Sequence, residues 1–191
     1  MRCMSCQCLS LRTFCKNCET NLLAPSITKR TIGTLDVYSF YKYLNIENLL
    51  LTKHNPQGYR IFKALANITL KPFIEKFIVA DPREIYIIGI DEKVKNGYSH
   101  VSLLAHSMKS KGVKVLHSSL MAQNRVSYAG KTLQYRIENP RNFIYKGKSK
   151  IEAILVDDII TTGITLQEAQ NVLLSHGVNV LFALTLADAK E

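Results

Sequence analysis

Tryptophan is absent from all 191 residues, and no cysteine occurs after position 18. No apolar run approaches the roughly 18 residues that a membrane-spanning helix requires, so no spanning segment is expected. The opening stretch MRCMSCQC has no apolar core of the kind a secretory signal needs, and it is not read as one. Internal repeats and low-complexity tracts are missing as well. Acidic residues are scarce: 15 Asp and Glu face 25 Lys and Arg, a formal net charge of +10. These absences leave a soluble, cytoplasmic protein as the expectation.

The residues that are present suit a folded chain. Hydrophobic residues make up 47% and charged residues 21%, enough for a sizeable core. The length fits one substantial α/β domain with a small appendage. The positive charge is uneven. Between Asp91 and Lys150 there are 12 Lys and Arg against 3 Asp and Glu, a local excess of nine. Ordinary solubility is one reading of that excess. A polyanionic partner, either a phosphorylated ligand or nucleic acid, is the other. Nine tyrosines and seven phenylalanines supply rings for base stacking.

The cysteines are Cys3, Cys6, Cys8, Cys15 and Cys18. Cys3/Cys6 and Cys15/Cys18 form two C-x-x-C turns, and two such turns supply the four thiolates of a tetrahedral Zn²⁺ site. Disulfides are disfavoured in a reducing compartment and would leave one thiol over. An iron–sulfur cluster is the weaker rival. Cys8 is the spare, a competitor of Cys6 as ligand or an ordinary free thiol. Four protein ligands leave no position for water, so the zinc is expected to be structural. So short a ribbon cannot bury enough surface to hold itself, and the metal would supply its folding energy.

The domain boundaries follow: a four-cysteine zinc ribbon over 1–24, then an α/β domain over 25–191. NLLAPSITKRTIG, with Pro25 and Gly33, is read as a connector. SFYKYLNIENLLLTKH reads as helix and sheet edge. Helical spacing runs from Gln57 to Val79, with Pro72 expected to break or kink it. Strands are predicted at 85–90, 113–117, 152–158 and 178–187, alternating with helices that end at Gly112 and Gly177. That alternation predicts a mainly parallel sheet covered on both faces. Residues 118–150 break the rhythm and are read as a functional, flexible loop.

The chemistry concentrates in IEAILVDDIITTGITL, residues 151–166. In a parallel sheet, ligands sit beyond the carboxyl ends of the strands, which is where Asp157 and Asp158 fall. The turn that follows leads into a helix whose first amides lack partners. Hydroxyls, amides and a glycine make a cradle for a phosphate monoester, and the two carboxylates can accept from vicinal ribose hydroxyls. A ligand-free reading stands beside this one. Thr165 and Glu168 form a T-x-x-E capping box, and the two aspartates could be a solvated strand end or a divalent-cation site.

ILVDDIITTGITL resembles the PRPP-binding signature of type I phosphoribosyltransferases. Nearly the whole chain resembles the ComF family of competence proteins, a four-cysteine zinc ribbon followed by a phosphoribosyltransferase-like domain. LLLTKH (49–54) is similar to the family's segment around a Lys-Tyr/Phe pair, NGYSHVSLLA (96–105) to its RGFNQ-x-x-LLA motif, and RIEN (136–139) with Phe143 to its R-x-x-N…F. The resemblance implies a sheet of the type I phosphoribosyltransferase kind. It implies that Asp157 and Asp158 bind the ribose hydroxyls of PRPP with Mg²⁺ nearby. Thr161, Thr162, Gly163, Ile164 (through its backbone) and Thr165 would hold the 5-phosphate. The family's Pro-x-Pro stretch and arginines give way here to a shorter GIDEKVKNG, which leaves Lys93 and Lys95 as diphosphate partners. Ser99 and His100 replace Asn-Gln. Arg125 and Lys131 are candidates for a flap over the ligand. The implied process is natural transformation, with incoming single-stranded DNA on the basic 91–150 surface and the ribbon. Tyr98, Tyr128, Tyr135 or Phe143 would stack on bases. An active phosphoribosyltransferase with an unidentified acceptor is the enzyme alternative, and a module recruiting other competence proteins is a third. His100 and His106 invite a general-base role, although a lone helix histidine is more often packed or solvated.

Overall fold

A computed structural model describes residues 1–90, 98–124, 126, 128, 130 and 132–190, with Leu133 by its backbone alone. Lys93, Lys95, Arg125 and Lys131 lie outside the described residues. Six strands form one sheet in the order β1-β2-β8-β7-β3-β4: β1 (Thr28–Ile32), β2 (Leu35–Lys42), β3 (Ile85–Gly89), β4 (Val113–Val115), β7 (Ile151–Ile160) and β8 (Val178–Asp188). β1 runs antiparallel at one edge and the other pairings are parallel. The chain is therefore a mixed α/β protein with a mainly parallel central sheet, preceded by a four-cysteine cluster.

Side chains on β7 alternate between two cores, as the strand period of two requires. Ile154 and Val156 face one core, with α1 (Tyr43–Leu50), α2 (Pro56–Ile68), α3 (Leu70–Ala80) and α4 (His100–Ser107). Ala153 and Leu155 face the other. That core also holds α6 (Ile164–Ser175) and a small hairpin of β5 (Leu120–Ala122) and β6 (Phe143–Tyr145). Burial on both faces explains why β3, β7 and β8 read as continuous apolar runs. Ser39 and Thr185 close one polar gap in the buried sheet, their hydroxyls 2.7 Å apart.

Three local expectations need correction. Residues 28–32 are an edge strand, not a connector. TKRTI shows no apolar alternation because β1 pairs on one side alone and keeps much of its length in solvent. The long helix breaks at Thr69 rather than at Pro72, and Pro72 sits in the first turn of α3, where an absent N–H costs no hydrogen bond. The stretch 118–150 contains the β5–β6 hairpin and a short α5 (Leu133–Glu138). Each is too short to show a period in sequence.

The N-terminal residues pack onto the main core. Phe14, Cys3 and Cys18 are 0% exposed and Leu23 is 2% exposed, within the same apolar cluster as Leu50, Ile61 and Phe62. The Tyr41 hydroxyl donates to the Leu23 carbonyl at 2.8 Å. Among the described residues, no helix is long and apolar enough to cross a membrane.

Candidate functional site

β7 and β8 outrun β3, whose last ladder pair is Gly89 with Val156. Asp157 and Asp158 follow at once, so both emerge where the sheet loses a neighbouring strand. The two acids are not equivalent. Asp158 is 6% exposed, which rules out a solvated strand end. Its carboxylate accepts from Lys53 Nζ at 2.8 Å and lies 3.3 Å from His100 Nε2. Burial alone would raise its pKa. The hydrogen bond and charge of His100, with Lys53, outweigh that and hold the group well below the usual carboxylate range. Asp157 takes the alternate register position, and its Oδ1 accepts the Asp158 amide at 2.8 Å. No ion pair reaches it among the described residues. Burial, then the adjacent Asp158 charge, push its pKa well above the ordinary value.

Lys53 and His100 come from distant segments that are pinned together. The Tyr98 hydroxyl donates to the Lys53 carbonyl at 3.0 Å. Gly58 makes that approach possible, since a Cβ there would collide with both the Thr52 carbonyl oxygen and the Tyr98 hydroxyl. His100 opens α4 behind Ser99, whose side chain caps the helix by accepting from Ser102 N at 3.0 Å. Its ring packs edge-on to Phe62, with centroids 5.5 Å apart. The lysine in LLLTKH and the histidine in YSHVS were the available sequence signals, but neither pattern says that both meet one carboxylate.

The turn after β7 resolves the capping question. α6 begins at Ile164 with Gly163 as its N-cap, at φ +85° and with no side-chain cap. Thr165 thus falls inside the first turn and cannot act as the cap. Glu168 is used elsewhere: it accepts the backbone amides of Arg141 at 3.1 Å and Asn142 at 2.7 Å. Among the described residues no side chain caps this helix N-terminus, which directs its first amides and positive dipole end toward the turn. A Cβ on Gly163 would lie 2.8 Å from Ile32 Cγ1, so space and backbone conformation both require glycine. Thr161 and Thr162 are exposed, while Ile164 and Thr165 are half-buried.

Two arginines, neither expected from the signature itself, brace this turn. Arg30 on β1 donates to the Thr161 carbonyl at 2.5 Å and pairs with Asp188 at 3.0 Å. Arg136 on α5 donates to Thr161 Oγ1 at 2.5 Å and to the Tyr128 carbonyl at 2.9 Å. A hydroxyl that accepts from a guanidinium keeps its own proton for an incoming acceptor. Arg136 and Arg141 also lie over the Tyr128 ring, 5.5 and 4.8 Å from its centroid. Tyr128 and Phe143 are each 7% exposed, so neither can stack on a base as expected from sequence.

In the N-terminal segment, the sulfurs of Cys3, Cys6, Cys8 and Cys15 all lie within 4.8 Å of one another. Four sulfurs at zinc distance sit about 3.8 Å apart around a tetrahedral ion, and Cys6 and Cys15 are 3.6 Å apart here. The cluster fits a metal such as zinc. Cys8 enters this compact set, and the fully buried Cys18 keeps its thiol in hydrogen-bond reach of Cys3, Cys6 and Cys15. Hydrogen bonds order the thiols. Burial of Cys3 is outweighed by the amides of Cys15, Cys6 and Ser5, which lower it to about 6. Hydrogen bonds with Cys6 and Cys15 push Cys8 up to about 12. A cation would relieve that mutual opposition and release protons as it bound.

No family model matches the chain, and no curated protein matches it by sequence. Solved structures similar to it include adenine phosphoribosyltransferase from Saccharomyces cerevisiae, at 18% identity over 89% of this chain and 87% of that one, with a TM-score of 0.45. Orotate phosphoribosyltransferase from Aeropyrum pernix is similar at 18% identity over 90% of this chain and 80% of that one, with a TM-score of 0.42. A hypoxanthine phosphoribosyltransferase from Staphylococcus aureus is similar at 15% identity over 66% of this chain and 64% of that one, with a TM-score of 0.43.

Proposed function

We propose that this chain binds PRPP with Mg²⁺ at the β7–α6 junction and serves natural transformation by handling incoming single-stranded DNA in the cytoplasm. One observation carries the PRPP reading: an uncapped helix N-terminus with exposed threonines directly follows a carboxylate pair at an open sheet edge. Asp157 would face the ribose hydroxyls, with Mg²⁺ arriving on the diphosphate. Asp158 would act mainly through Lys53 and His100, which it holds in place. Thr161, Thr162, Gly163, Ile164 and Thr165 would take the 5-phosphate. Titration calorimetry with Mg²⁺–PRPP should give heat for the wild type and none for the Asp157→Ala, Asp158→Ala double variant. Equal binding by both would reject the sugar site.

The DNA reading is supported by the local excess of nine positive charges. Lys109, Lys111, Lys114, Lys146, Lys148 and Lys150 are all exposed. Phosphate charge would supply the affinity, so binding should fall steeply with salt and hardly respond to base sequence. A flat salt response would remove this reading. For stacking, Tyr59 fits better than the buried rings: it is 44% exposed and meets Tyr98 edge-on at 5.9 Å. A second reading, an active phosphoribosyltransferase, is favoured by the polar cluster of His100, Lys53 and Asp158 beside Asp157 at the strand end. Release of diphosphate from PRPP that depends on an added acceptor would support it.

A further inference from the structure

His106 and His117 lie apart from both the strand-end site and the cysteines, and neither enters the function above. His106 is the penultimate residue of α4, and His117 follows β4 by two residues. Their rings stack at 29° with centroids 5.5 Å apart, and His106 Nδ1 lies 3.3 Å from His117 Nε2. Both side chains are exposed. We propose that these two imidazoles form a surface site for a divalent transition metal of the Zn²⁺, Ni²⁺ or Cu²⁺ class.

The separation is the first argument. Nitrogens about 2.0–2.1 Å from one tetrahedral ion are about 3.3–3.4 Å apart. The observed 3.3 Å equals the chelate spacing, and it is long for a hydrogen bond between the two rings. The mounting is the second. Lys109 N donates to the His106 carbonyl at 3.1 Å, which closes the end of α4. On the other side, Leu116 N donates to Ile87 O at 3.0 Å, and Ser119 Oγ donates to the Leu116 carbonyl at 2.9 Å. Ser118 is held at φ +52°, a left-handed conformation uncommon for serine, directly after His117. Both imidazoles therefore stand on fixed backbone, which lowers the ordering cost of chelation. Neutral imidazole is a ligand of choice for this class of ion. Exposure leaves the remaining coordination positions to water or to a ligand from solution. The ion would clip the end of α4 to the entrance of the 118–150 segment.

The test uses full-length protein already loaded with zinc at its cysteines, titrated with NiCl₂. Calorimetry should show one Ni²⁺ event in the wild type and in His176→Ala. The event should weaken about 100-fold in His106→Ala and in His117→Ala, the low end of the gain from a second linked ligand. His106→Gln and His117→Gln repeat the test with polar side chains should an alanine variant fail to fold. Paramagnetic broadening should centre on the amides of 105–109 and 116–118. No Ni²⁺ event, an event surviving in either histidine variant, or broadening centred on residues 3–18 would each overturn the proposal.

Discussion

Asp157 and Asp158 share a side-chain type and differ in almost everything their surroundings impose. Lys53 and the contact with His100 stabilise the Asp158 carboxylate, so its ionised form favours folding. That contribution is complete above the ordinary aspartate pKa and is lost as pH falls from there through the depressed folded value. Asp158→Ala strands Lys53 and His100 without their shared acceptor and should cost roughly 3 kcal/mol by urea denaturation, the low end for breaking a buried ion pair because Lys53 is partly solvated. Asp157 behaves in the opposite sense. Its raised pKa means that the free protein holds a proton there to a higher pH than an ordinary aspartate would. A Mg²⁺-bound ligand favours the ionised form, so binding must expel that proton. Affinity for Mg²⁺–PRPP should rise with pH above the ordinary aspartate range, by up to about tenfold per unit. It should level off once Asp157 is ionised in the free protein. Calorimetry across pH checks this, and Asp157→Asn should remove the slope. A slope unchanged in that variant would assign the proton elsewhere.

At the scale of elements, the site is a junction of three short pieces: the free end of β7, the Gly163 turn and the Lys53 turn. Two glycines set their distances, and each yields a prediction. Gly163→Ala places a Cβ against Ile32 at a left-handed φ, so it should destabilise by about 1–2 kcal/mol from conformation alone. It should also misplace the first amides of α6, which weakened binding of ribose 5-phosphate would report. Gly58→Ala drives the Lys53 turn away from Tyr98 and should destabilise by roughly 1–3 kcal/mol as an overpacked contact. If Lys53 reaches Asp158 only through this arrangement, Gly58→Ala and Asp158→Ala should show coupled, non-additive losses in a double-mutant cycle. Much of this junction was legible in the sequence. β7 is continuous and apolar until its acids begin, and the glycine before α6 marks the turn. The partners of those acids were not legible. Lys53 and His100 lie 105 and 58 positions before Asp158, and no local period encodes a contact at such distance. The capping-box reading failed for a related reason. T-x-x-E describes a pattern, whereas the cap is decided by where the backbone first turns helical, and here Gly163 takes that role. β1 was missed because an edge strand need not bury a face.

On the scale of the whole chain, the question is whether the cysteine segment folds apart from the domain that follows it. A boundary after residue 24 suits the spacing of the cysteines, which is what the sequence displays. It does not display that Phe14 and Leu23 lie within the same apolar cluster as Leu50 and Ile61. Fully burying one large apolar side chain contributes about 1.5–3 kcal/mol, so the pair accounts for about 3–6 kcal/mol. A whole domain is typically stable by only about 5–15 kcal/mol. A metal held by the N-terminal thiols would therefore support the sheet at a distance, by keeping Phe14 and Leu23 seated. Chelation should lower the thermal midpoint of the entire chain in one cooperative step, with amide protection falling in α2 as well as in residues 3–18. Far-UV circular dichroism and hydrogen exchange with and without chelator measure both effects. Two separate transitions, the larger unmoved by chelation, would show that the apolar contact adds nothing to the main core and that the boundary after residue 24 is a thermodynamic one.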